Sequence, residues 1–185
     1  MIVIAWQLMM GVGLSACAGL RAFLPLLVVG LAGRYELVPL GESFAWLSGT
    51  PAITVLAVAV VVELLADKIP VLDNMLDLAG TFVRPVAGAV AAASPLAALD
   101  PLTGMVVGVI VGGAVAGSVH AAKTGLRLGS TGATGGLANP VISIAEDAVT
   151  LGGSLLSLVL PMITFVLALG VVFLALRLRA RPPLL

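Results

Sequence analysis

The chain reads as an all-α, polytopic membrane helical bundle of about five spans, with two short re-entrant-type helices and a weak internal two-fold repeat. Three observations point there. Mean hydropathy is +1.23, and 61% of the 185 residues are hydrophobic against 10% charged, whereas a soluble domain is about 45–50% apolar. Several apolar stretches reach the roughly 20 residues that a hydrocarbon core requires. The interior charges, Arg21, Glu63, Asp67, Lys68, Asp77, Arg84, Lys123, Arg127, Glu146 and Asp147, fall inside or at the ends of those stretches. A charge at the bilayer centre costs about 2.5–3.5 kcal/mol on insertion scales, so these residues are expected to face one another or a wet cavity. No polar block of domain size occurs, and residues 1–185 read as one membrane domain with pseudo-repeat halves at about 4–99 and 101–178.

The first span runs from about Ile4 to Ala32, interrupted near Arg21 and Pro25. Leu14-Ser15-Ala16-Cys17 has the look of a cleavage box, but a secretory signal needs a basic leading region and the first charge is Arg21, so the span is expected to be retained. Gly33 to Thr50, with Arg34, Tyr35 and Trp46, reads as a loop or interfacial helix, because aromatic rings favour the headgroup zone. Pro51 to Ala66 is the second span. Val71 to Gly80 reads as a short acidic helix, about 15 Å long and half of the core thickness. Arg84-Pro85 opens an Ala-rich segment to Leu99, and Pro101 to about Leu126 is span four. Gly129 to Gly136 reads as a loop that is either a connector or an anion nest; it lacks the Gly-Lys-Ser/Thr ending of a nucleotide-binding loop. Asn139-Pro140 starts a second short helix, Val141 to Gly152, and a last span covers about Leu155 to Leu178.

The repeat rests on two echoes. Gly19-Leu20-Arg21 recurs as Gly125-Leu126-Arg127, and Pro70-Val71-Leu72 with Asp77 recurs as Pro140-Val141-Ile142 with Asp147. Interrupted segments at matching places in two halves point to a transporter site.

Span four carries the packing signal. Gly104, Gly108 and Gly112 form one small-residue row, and Gly113 and Gly117 form another; such rows let helix backbones approach closely. Two rows suggest two contacts, one to span one and one to a second copy or another core helix, so a homo-oligomer is expected. His120, Lys123 and Arg127 follow at offsets of three and seven, which places them on one face aimed into the bundle. Six acids (Glu63, Asp67, Asp73, Asp77, Glu146, Asp147) stand against five bases (Arg21, Lys68, Arg84, Lys123, Arg127), a balance that favours a paired network. Arg21 is expected to meet Asp67 or Asp77.

Zero net charge leaves no electrostatic footprint for nucleic acid. One Cys and one His argue against a disulfide framework or a Cys/His metal site, and no cofactor is expected.

Gly19-Leu20-Arg21-Ala22-Phe23-Leu24-Pro25, Ala66-Asp67-Lys68-Ile69-Pro70, His120-Ala121-Ala122-Lys123 and Gly135-Gly136-Leu137-Ala138-Asn139-Pro140 carry a resemblance. From Gly19 to about Pro161 the chain resembles a bacterial membrane family catalogued as domain of unknown function 4126. The resemblance implies a small bacterial integral membrane protein and brings no activity with it.

The expected function is that of a small membrane transporter or channel, coupled to protons or cations, in the bacterial cytoplasmic membrane. Its partners would be the lipid bilayer and a small ion or anionic solute. The pathway candidates are Arg21, Glu63, Asp67, Lys68, Asp77, Arg84, His120, Lys123, Arg127, Asn139, Glu146 and Asp147. Two alternatives stand beside it: an accessory protein whose charges only hold helices together, and a metal-dependent lipid-modifying enzyme using Asp73 and Asp77. Arg177, Arg179 and Arg181 predict a cytoplasmic C-terminus by the positive-inside rule, with Arg34 on the same side.

Overall fold

A computed structural model describes residues 1–66, 70–135 and 137–179, with the backbone alone at 70–74 and 178–179. Asp67, Lys68 and the Asp73 side chain lie outside the described residues. Every regular element described is helical: α1 (Ile2–Leu20), α2 (Phe23–Arg34), a 3-10 helix (Glu42–Ser48), α3 (Thr50–Ala66), α4 (Pro70–Ala93), α5 (Pro101–Val107), a π-helical turn (Gly108–Gly112), α6 (Gly113–Thr134), α7 (Asn139–Val159) and α8 (Pro161–Arg179). Four helices are long and apolar enough to cross a membrane: Ile2–Leu20, Met75–Ala93, Pro101–Thr134 and Asn139–Val159. The 3-10 helix and α3, bent by 66°, make a fifth candidate.

The two short acidic helices are not separate elements. Val71–Gly80 is the first part of a 24-residue α4, and Val141–Gly152 belongs to a 21-residue α7. Neither Pro85 nor Gly152-Gly153 ends its helix. Backbone groups freed in hydrocarbon would cost several kcal/mol each, which outweighs the roughly 1 kcal/mol helix penalty of a glycine. Both residues also serve packing: the Pro85 ring lies beside Gly117, and Gly153 lets Cys17 approach. The expected loop from Gly129 is likewise helical, since α6 runs to Thr134 and stops at Gly135, whose φ of 62° is left-handed. The last helix starts at Pro161 rather than near Leu155.

Span one does break. α1 stops at Leu20, Arg21 is extended (φ −135°, ψ 120°), and α2 begins at Phe23. At one end of the bundle, Arg34 donates to Thr50, Gly41 N–H to the Ser94 carbonyl and Ala98 N–H to Gln7 Oε1. The Arg21 break, the end of α3 and the starts of α4 and α7 meet at the opposite end. Residues Val171 and Ala175 of α8 lie beside Ala121 and Leu126 of α6, so Arg177 lies at that opposite end. Arg34 is therefore across the bundle from Arg177 and the end of α8, contrary to the expectation that it shares their side, because the α1–α2 break adds a reversal.

Small residues set the packing. A Cβ on Gly108 would lie 2.5 Å from Ala93 Cβ and 2.7 Å from the Ala89 carbonyl, and one on Gly112 would strike the Gly88 carbonyl. The first glycine row thus seats on α4, not on span one. Gly113 and Gly117 face Pro85 of the same α4 at 3.5 and 3.6 Å, so the second row gives no argument for a second copy. Span one uses its own stripe: Gly11 packs on Ala92, Ser15 donates to the Gly88 carbonyl at 2.8 Å, and Gly19 meets Ala116.

Candidate functional site

The helix break and the charges form one site. Ending α1 at Leu20 frees carbonyls, and starting α2 at Phe23 frees N–H groups; both ends meet a buried charge of the fitting sign. Lys123 Nζ donates to the Leu20 carbonyl at 3.2 Å. Glu63 accepts from Ala22 N–H at 3.0 Å and from Phe23 N–H at 3.4 Å. A carboxylate suits the positive end of the helix dipole and an ammonium the negative end. Arg21, at the break, is 1% exposed. Its guanidinium lies 2.6 Å from Asp147 and donates to Ser143 Oγ at 2.9 Å. It does meet an acid from another segment; among the described residues that acid is Asp147. Asp77 is taken by other cations, and Asp67 is not described.

The cluster continues across α4, α6 and α7. Asp77 receives Arg84 at 3.2 Å, Arg127 at 3.5 Å and, more distantly, Lys123 at 3.9 Å. Glu146 Oε2 takes Lys123 at 3.0 Å and Arg127 at 3.1 Å, while its Oε1 is buried with no hydrogen-bond partner among the described residues. His120 Nδ1 meets Arg84 Nη1. A guanidinium only donates, so Nδ1 accepts and the ring proton sits on Nε2, 3.5 Å from Thr81 Oγ1. The offsets of three and seven on α6 thus bring His120, Lys123 and Arg127, all buried, to one place.

Depth follows from helix rise. Asp77 is about 24 Å along α4 from Ala93, and Glu146 about 20 Å along α7 from Val159. The cluster therefore lies within a hydrocarbon core about 30 Å thick measured from that end, nearer the opposite face. Asp77 and Asp147 keep 21% and 26% of their side-chain surface exposed.

Other candidates fall elsewhere. Asn139 donates to Thr131 at 3.0 Å and closes the α6–α7 turn, outside the cluster. Glu63 serves the break and makes no described ion pair with the Asp77 group. Both Asp77 oxygens are held by cations, which is not how a metal ligand is presented. Asp100, at the other end, caps α5: the Thr103 side chain and N–H hold its carboxyl below its usual range.

The sequence reading missed a second polar feature. Every buried side chain of α7 is polar: Ser143, Glu146, Thr150, Ser154 and Ser157. Thr150 donates to the Glu146 carbonyl at 2.7 Å, Ser154 to Thr150 at 2.6 Å and Ser157 to Gly153 at 2.7 Å. The row reaches from the charge cluster to buried Thr164 on α8, since Ser157 and Thr164 both border Gly13. The steps of three and four carry the helical period; they were legible, and hydroxyls simply attract less notice than charges.

A helical membrane protein with a buried inter-helix charge cluster at a helix break is the class these features define. The chain belongs to the family described as domain of unknown function (DUF4126), whose model matches residues 8–181. No curated protein and no solved structure matches it.

Proposed function

We propose that the protein moves protons or another small cation across the bacterial cytoplasmic membrane, along α7, with Glu146 as the carrying carboxylate. The observation that carries this reading is the wholly polar buried face of α7, which joins Glu146 to the far end of the bundle. Ser and Thr at such an interface also let helices pack closely; the transport reading rests on their forming one buried row that includes the charged Glu146. The broken α1–α2 pair agrees with it, since discontinuous helices with capped half-helix ends accompany transporter sites. So does the pairing of the two echoes: Arg21 of the first half meets Asp147 of the second, and Arg127 of the second meets Asp77 of the first. Exchanged pairs of this kind support duplicated halves facing one another across the site. Arg177 lies at the cluster end and is followed in the sequence by Arg179 and Arg181, whereas Arg34 stands at the other end, a bias that by the positive-inside rule favours a cytoplasmic cluster end.

Proteoliposomes loaded with a pH-sensitive dye test the reading. Wild type should dissipate an imposed gradient faster than empty vesicles, and Glu146→Gln should lose that activity. Wild-type flux equal to that of empty vesicles, for protons and, with the matching indicator dyes, for Na+ and K+, would overturn it.

The second reading is a structural lock, in which the charges only tie helices together. The shared ion pairs favour it, since Asp77 and Glu146 Oε2 each take two or more cations at 3.0–3.9 Å. It predicts folded protein without flux.

A further inference from the structure

The outer seam between α6 and α8 is not filled by the described residues. Ala122, Gly125 and Leu126 face Val171, Leu174 and Ala175 across a cavity of about 490 Å³. A second apolar cavity of about 210 Å³ continues past the shared Val171 toward α1 and α7. Nothing lies within 4 Å of where a side chain would begin at Gly125, Gly129 or Gly170. Arg177 follows Leu174 by three residues, on the same face and one turn nearer the helix end. Its guanidinium stacks on Phe173 at 5.5 Å and has no acidic partner among the described residues. An apolar groove with a cation three residues beyond its Leu174 wall, near the end of α8, matches one ligand chemistry.

We propose that this groove binds an anionic phospholipid, with one acyl chain between α6 and α8 and the phosphate on Arg177. Basic pockets between membrane helices bind acidic headgroups in this way. A second copy of the chain fits the groove less well. Neither α6 nor α8 contains an acidic residue, and a two-fold contact would set Arg177 near its own copy. The proposal is independent of the transport reading.

Native mass spectrometry of the detergent-purified chain, with phosphatidylglycerol or phosphatidylcholine added, tests it. Wild type should retain phosphatidylglycerol preferentially, and Arg177→Gln should lower that preference about fivefold. Gly125→Phe should lose retention of both lipids; Leu174→Trp fills the groove from the other wall and carries the test should Gly125→Phe fail to fold. Unchanged retention in both groove variants would overturn the proposal, as would equal wild-type retention of the two lipids. A wild-type dimer split by the groove variants would overturn it too, by assigning the seam to a second copy.

Discussion

At the scale of single residues, the buried arginine and the capping glutamate make separable contributions. Arg21 is almost wholly enclosed, and among the described residues it pairs with Asp147. Removing one member of a buried pair leaves an uncompensated charge, at a cost of about 3–5 kcal/mol. Arg21→Leu should fall at the lower end, about 3 kcal/mol, because Asp147 keeps some exposure. Adding Asp147→Leu should recover most of that loss, as chemical unfolding in detergent would reveal; a double variant no more stable than the single one would contradict the pairing. Glu63 acts differently, through the Ala22 and Phe23 N–H groups. Glu63→Ala should cost about 1–2 kcal/mol, the range of a lost helix cap, measured the same way. That Arg21 needs an acid was legible from its apolar surroundings. Its choice of Asp147 was not, because Asp77 and Asp147 occupy equivalent places in the two echoes and only the packing of α1 against α7 decides between them.

At the scale of elements, what could be read was set by which force ends a helix. The glycine rows of span four were plain from their four-residue spacing, and their partner, α4, was a matter of tertiary assembly. The row against Ala89 and Ala93 has no room: Gly108→Leu should separate α4 from α5–α6, destabilising the fold by about 3 kcal/mol or more. Gly113, 3.5 Å from the Pro85 carbonyl, should accept alanine with little change. Thermal unfolding of the two variants side by side checks the contrast, and equal melting temperatures would refute the packing. Helix ends were the harder part. Gly80, Pro85 and Gly152-Gly153 read as stops by rules learned in water, where a broken backbone bond is replaced by solvent. In hydrocarbon it is not replaced, so α4 and α7 run on and the short helices merge into long ones. The hydroxyl row of α7 belongs to this scale too. Thr150→Val keeps the side-chain volume and removes one hydroxyl, and membrane hydrogen bonds average about 0.6 kcal/mol. The variant should therefore melt close to wild type while losing gradient dissipation in vesicles; loss of stability with flux intact would reverse the assignment.

For the whole molecule, the bundle concentrates its charge at one end and its close glycine contacts toward the other, with the α7 hydroxyls joining the two regions. Composition alone made the membrane class legible, and the echoes of Arg21 and Asp77 in Arg127 and Asp147 located the charged region. The polar connection across the bundle became visible only when buried and exposed faces of α7 were separated. Transport along that face requires that water reach it. Ser154 lies midway on it, fully buried between Thr150 and Ser157, and cysteine is a near match in size. The decisive measurement is reaction of Ser154→Cys, in a Cys17→Ala background and in sealed proteoliposomes, with a charged, membrane-impermeant thiol reagent applied from each side in turn. Modification is expected from the side of the 3-10 helix as well as from the side of the charge cluster. Protection from both sides, with full reaction after denaturation, would contradict it.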